Sequence, residues 1–210
     1  MEPVKLVLIN FGPPFFPREK EDAQAIRDAL SPSVPVSEPN WQGQFSFDLP
    51  PIIEFLSSPD TWKTFGDFAL NLLIEKGIEF TVETIQNKWK SITKNRQDKH
   101  LNSLDNLATR LKLISDRGNG EVMIKIGLNA PDNSYEAILS THAKDRYKFL
   151  RDLLIFIINV EKIDSECRSA IEIDNAKPVG PFSIKTEDNG NIILHWRDDS
   201  DHRNHTKHIT

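Results

Sequence analysis

The residues best suited to chemistry crowd the C-terminus. Asp198, Asp199, Asp201, His202, His205 and His208 put carboxylate and imidazole donors within a short stretch. Histidines at three-residue steps would share one face of a helix and could take up a divalent transition metal. A built metal site also needs apolar packing and hydrogen-bonded partners that fix its ligands. Nothing apolar flanks this stretch, so the expectation from Arg197 onward is a solvated tail, with His202, His205 and His208 only weak candidate ligands and no metal called for.

Two further histidines and the single cysteine are candidates for acid–base or nucleophilic work. His195 has the parity of Ser183 and Lys185, opposite to Phe182, Ile184, Leu194 and Trp196, so it belongs on the less buried face of a hairpin. A general base needs a partner within hydrogen-bond reach, and no sequence rule supplies one for His195 or for His142. Cys167 follows the apolar phase of a helix and lacks any flanking nucleophile signature, which reads as a buried, inert thiol. The sequence contains no phosphate-loop glycine pattern, no HExxH, no CxxC and no GxSxG, and no cofactor is called for. Absence of motifs weighs against catalysis without excluding it, because sites assemble from distant residues.

Charge is distributed unevenly. The chain as a whole carries −5, too little to imply a polyanionic partner. Residues 83–117 contain Lys88, Lys90, Lys94, Arg96, Lys99, Arg110, Lys112 and Arg117 against four acids, while residues 1–60 are acidic. Such segments can pack on each other, or the basic helices can touch phosphates. Trp89 falls in phase with the core, which leaves no aromatic free for base stacking.

Proline is skewed as well, with ten of 13 in the first 60 residues. Residues 31–51 combine prolines with Trp41, Phe45 and Phe47, and Phe15 and Phe16 precede them. Proline removes donors and favours extended geometry, so 31–51 reads as a covering segment with a short strand at Phe45 to Leu49. These five aromatics either anchor a protein partner or a second copy, or close over the domain's own core.

The elements that must position these groups follow from periodicity. Val4 to Ile9 is apolar on both parities, the mark of a strand covered on both faces. Helices are expected from Arg18 to Leu30, from Ser58-Pro59-Asp60 onward, around Val82, Ile85, Trp89 and Ile92, and along Leu101, Leu104, Leu107, Leu111 and Ile114. Whether 81–116 is one helix or a hairpin stays open. Alternation at Val122, Ile124, Ile126, Leu128 and again at Tyr135, Ala137, Leu139 predicts a hairpin over 121–140. Ser140 or Thr141 is expected to cap a long helix, apolar nearly all round from Phe149 to Val160. Asp188-Asn189-Gly190 joins the strands of a last hairpin, 181–197.

The fold class is therefore α+β: a small mixed or antiparallel sheet (the N-terminal strand plus hairpins 121–140 and 181–197) packed with a long buried helix 143–171 and a helical insertion 59–116. Residues 1–197 form one domain, and 198–210 a polar tail. A lone cysteine calls for no oxidising compartment, no stretch reads as a signal peptide or membrane span, and the cytoplasm is the expected location. The leading functional expectation is a non-catalytic protein-interaction or regulatory module. The alternatives are a small hydrolase or effector using His142, His195 and distant carboxylates, and a nucleic-acid-associated factor using helices 83–117.

Overall fold

In the computed structural model, the residues described are 3–9, 11, 17–42, 52–58, 60–63, 66–67, 71, 81–93, 99–117, 123–129, 134–139 and 145–209. The fold is α+β with a mixed sheet of eight strands. In chain order the elements are β1 (Lys5–Ile9), α1 (Pro17–Leu30), β2 (Asn40–Gln42), β3 (Ile52–Ser57), α2 (Val82–Thr93), α3 (Lys99–Arg117), β4 (Met123–Asn129), β5 (Ser134–Leu139), α4 (Arg146–Ile158), α5 (Val160–Glu172), β6 (Phe182–Thr186), β7 (Ile192–Arg197) and β8 (Asn204–Ile209). Residues 60–63, 66–67 and 71 are also helical, in keeping with the start signal at Ser58-Pro59-Asp60.

The strands lie in the order β2-β1-β3-β4-β5-β6-β7-β8. Three neighbouring pairs are parallel: β1 with β2, β3 with β4, and β5 with β6. Parallel neighbours need a long crossover, and each of these pairs has helical chain between its strands. The remaining neighbours are antiparallel.

Register separates the two faces. Leu6, Phe55, Ile126, Ala137 and Phe182 lie on one cross-strand row, and Leu8, Ile53, Ile124, Leu139, Ile184 and Leu194 on the next. The buried residues of these rows share one apolar cluster with Ile26, Leu30, Trp62, Ile85, Leu107, Leu111 and the whole of α4 from Phe149 to Ile157 apart from its ionic pair. The opposite face carries the row Val7, Glu54, Lys125, Ile138, Ser183, His195, Thr206. On that face Glu54 is buried and paired with Lys125 at 3.3 Å.

The central helix holds a charged pair in its apolar surface. Arg151 and Asp152 are each 3% exposed in their side chains. Arg151 approaches Asp152 Oδ1 at 3.4 Å, donates to the Glu187 carbonyl, and lies 3.4 Å from Asp188. Asp152 accepts from Thr186 Oγ1 at 2.6 Å and lies 3.5 Å from Lys148 Nζ. Asp152 therefore reaches the end of β6, and Arg151 the turn that follows it. Gly190, at φ 89°, supplies the left-handed residue that the turn requires.

Several sequence expectations need correction. The N-terminal strand does not pair with the 121–140 hairpin, because β3 stands between β1 and β4. Ile52–Ser57 carries apolar residues on both parities and is such an interior strand. The start of the covering segment 31–51 is ordered against β1: Val36 bridges Val4 and β2 pairs with Val7 to Ile9. The strand expected at Phe45 to Leu49 lies outside the described residues. Helix 143–171 is two helices meeting at Asn159, whose φ of −100° and ψ of 10° leave helical geometry. Its N-cap is Asp145 and not Ser140 or Thr141, with the carboxylate accepting from the Tyr147 and Lys148 N–H groups. Helices α2 and α3 are separate, and Thr81 caps α2 through the Thr84 N–H.

The polar tail is the largest correction. Residues 204–209 form β8, paired with β7 along its whole length from Ile192↔Ile209 to Arg197↔Asn204.

The Arg151–Asp152 pair gives a stability test. Asp152→Ala takes from the buried Arg151 guanidinium its buried carboxylate partner and should cost about 3–5 kcal/mol in urea unfolding. The double replacement Arg151→Met with Asp152→Leu should cost less than Asp152→Ala alone, because no buried charge is then stranded.

Candidate functional site

The C-terminal strands bring together what the sequence held apart. On the face turned away from the helices, Ser183, His195 and Thr206 sit side by side on β6, β7 and β8. His195 Nδ1 lies 2.9 Å from Thr206 Oγ1. One step along the strands, Lys185, Ile193 and His208 form the next row. Lys185, Thr206 and His208 are exposed, while Ser183, Ile193 and His195 are half-buried. Parity correctly placed His195 on the less buried face.

The electrostatics of this face are cationic. Partial burial pushes the His195 imidazole below its usual value, and Lys185 and His208 push it further in the same direction. Among the described residues no carboxylate orients His195. Among the described residues, then, His195 has no base–carboxylate pairing of the kind a triad uses. His142 lies outside the described residues.

Strand geometry spreads the tail histidines apart. Alternation along β8 sends His208 to the open face and His205 to the helix side. His202 lies in the β7–β8 turn at φ 57°. The three histidines therefore lie apart, and no group of three metal donors gathers among the described residues. His205 instead stacks on Trp196, with ring centroids 5.3 Å apart and planes 16° from parallel, and its Nε2 lies 3.1 Å from Asp201. Next to it Lys207 pairs with Glu166 of α5 at 2.5 Å.

Asp198 organises the same turn. It accepts from Ser200 Oγ at 2.5 Å and from the Ser200 N–H at 2.7 Å, while the Lys177 N–H donates to its other oxygen at 3.1 Å. The bonds from Ser200 hold its carboxyl below the usual carboxylate range, and the Arg203 N–H and His205 do the same for Asp201. Both carboxylates are engaged in holding this turn.

Cys167 is fully buried in α5. Burial raises its thiol well above the ordinary range, and the nearby Asp164 and Glu166 add to the rise while Lys207 opposes it.

At the other end of the sheet, β2 is the terminal strand. Trp41 is half-buried against the core and edge-on to Phe11, with ring centroids 6.2 Å apart and planes at 80°. Phe15, Phe16, Phe45 and Phe47 lie outside the described residues. The basic helix α3 packs on acidic α1: Arg110 lies 3.6 Å from Asp22, and Lys112 pairs with Asp116 within α3. Part of its positive charge is thereby met within the fold. A groove of about 330 Å³ between these helices is lined by Ala25, Asp28, Ala29, Asn106, Thr109, Arg110 and Leu113. No described helix is long and apolar enough to cross a membrane.

No family model matches this chain, and neither the curated proteins nor the solved structures include a match to it.

Two measurements check these environments. Cys167 should resist iodoacetamide at pH 8 in the folded chain and react at the rate of a free thiol once urea unfolds it. Depressed carboxyls stabilise the fold above their ordinary value of 3.8 and lose that contribution as pH falls through the lower folded value. Urea stability should therefore decline from about pH 4 downward, and Asp198→Asn should flatten that decline.

Proposed function

We propose that this chain is a protein-interaction module without catalytic activity, and that it binds through the β2 edge of its sheet. The observation that carries this reading is Trp41, an aromatic held half-exposed on a terminal strand. A terminal strand offers unpaired backbone groups to an added strand, and exposed edges are normally blunted by charge or proline. The two ends of this sheet differ in that respect. The β8 edge carries His205, Lys207 and His208, whereas β2 reads Asn40-Trp41-Gln42 without a charge. An extended segment of a partner, or of a second copy, would add main-chain hydrogen bonds along β2 and cover the Trp41–Phe11 pair. Tryptophan is well suited to this, since it presents a large rigid surface at small entropic cost and dominates many interfaces.

A photo-crosslinking residue at Asn40, combined with sedimentation of the purified chain over a concentration series, tests this. The expected result is one defined crosslinked species, self or partner, whose formation weakens about 30-fold or more with Trp41→Ala while the thermal melt is retained. A strict monomer that crosslinks to nothing, or a crosslink indifferent to Trp41→Ala, overturns the reading.

A further inference from the structure

The open face of β6, β7 and β8 holds charge that the fold does not use. Lys185 and Arg197 have no ion-pair partner among the described residues, although many of the other described lysines and arginines do. They share a face with His195 and His208. None of the outward positions of the three strands carries a carboxylate; the rest are Ser183, Ile193, Asn204 and Thr206. Among the described residues of these three strands, the charged or titratable groups on the face of His195 are all basic: Arg197 on its own strand, Lys185 on β6 and His208 on β8.

We infer that this face is a docking surface for a short acidic polypeptide segment, with Lys185 and Arg197 as fixed cations and Ser183, His195, Thr206 and His208 as hydrogen-bonding groups between them. Charge complementarity is the warrant. Four groups that are cationic or can become so lie on adjacent strands, where direct neighbours are about 5 Å apart and diagonal ones about 7–8 Å. That spacing suits successive carboxylates on an extended chain. Ile193, between Lys185 and His208, supplies aliphatic contact. The net charge of −5 argues against a long polyanion, which would meet the acidic remainder of the molecule, whereas a short segment meets only the local patch. The surface is separate from the Trp41 edge and does not depend on it.

Protons are linked to this binding. In the free chain partial burial, with Lys185 and His208 beside it, lowers the proton affinity of His195. A docked carboxylate reverses the neighbours' effect and raises the imidazole's proton affinity, so binding takes up a proton and strengthens as pH falls.

The test uses the full chain and a fluorescein-labelled deca-glutamate peptide, read by anisotropy at pH 6 and pH 8. The peptide should bind more tightly at pH 6. Lys185→Glu should weaken it about tenfold or more and Arg197→Glu comparably, with thermal melts unchanged. His195→Gln should remove much of the pH difference. Trp41→Ala should leave peptide binding intact, which separates failure here from failure of the β2 reading. Absence of binding at millimolar peptide at both pH values, or indifference to both charge reversals, overturns the inference. So does tighter binding of an oligothymidylate or of vesicles containing phosphatidylserine than of the peptide.

Discussion

A charged pair in the middle of the most apolar helix constrains the rest of this fold. Arg151 and Asp152 lie between Leu150 and Leu153, in a helix whose residues from Phe149 to Ile157 are all buried. Two ions taken out of water need good geometry and further hydrogen bonds to be tolerated, and a stranded one is costly. The partners they find are Thr186, the Glu187 carbonyl, Asp188 and Lys148. Three of these four belong to the end of β6 or the turn after it. The pair therefore fixes where the last hairpin sits along α4, and with it the alignment of β7 and β8. The outward row of His195 and Thr206 inherits its position from a buried ionic contact on the other side of the sheet.

Topology explains why the two ends of the sheet differ chemically. At each of the three parallel junctions a helical connection covers one side of the sheet, and the described core forms there. The opposite side keeps polar and charged groups, from the Glu54–Lys125 pair to the basic positions on β6 to β8. The β8 edge is guarded by imidazole and ammonium groups, and β2 by none. The chemical difference between the two ends is thus a consequence of how the chain winds.

Much of the fold was legible because its apolar residues keep strict periods. The stripe of Leu101, Leu104, Leu107, Leu111 and Ile114 is buried as its spacing requires, and the alternation of Ile124 and Ile126 lies on the core face. The parity argument for His195 held for the same reason: side chains alternate across a strand whatever its neighbours are. β3 was legible in principle, since Ile52-Ile53-Glu54-Phe55-Leu56 is apolar on both parities, but no element is assigned from the sequence between the covering segment 31–51 and the helix start at Ser58. β8 was not legible. Its inward positions are His205, Lys207 and Ile209, and the first two sit inward only because Trp196 offers an aromatic face and Glu166 a carboxylate. No hydrophobic period marks such a strand, and an imidazole stacked on tryptophan looks in sequence like an imidazole in water.

By itself, then, the sequence determined the α+β class, the helical stripes, the core face of the 121–140 hairpin and the side on which His195 lies. These follow from local period and local turn chemistry, which act over a few residues and need no partner. Tertiary structure alone decided that β3 separates β1 from β4, that Asn159 divides the long helix, and that β8 completes the sheet. It also decided that the histidines point apart and that Lys185 and Arg197 share an open face with His195 and His208. Those outcomes depend on which distant strands become neighbours, and neighbours are chosen by the total burial of the core and the satisfaction of the Arg151–Asp152 pair, quantities that no short window of residues contains.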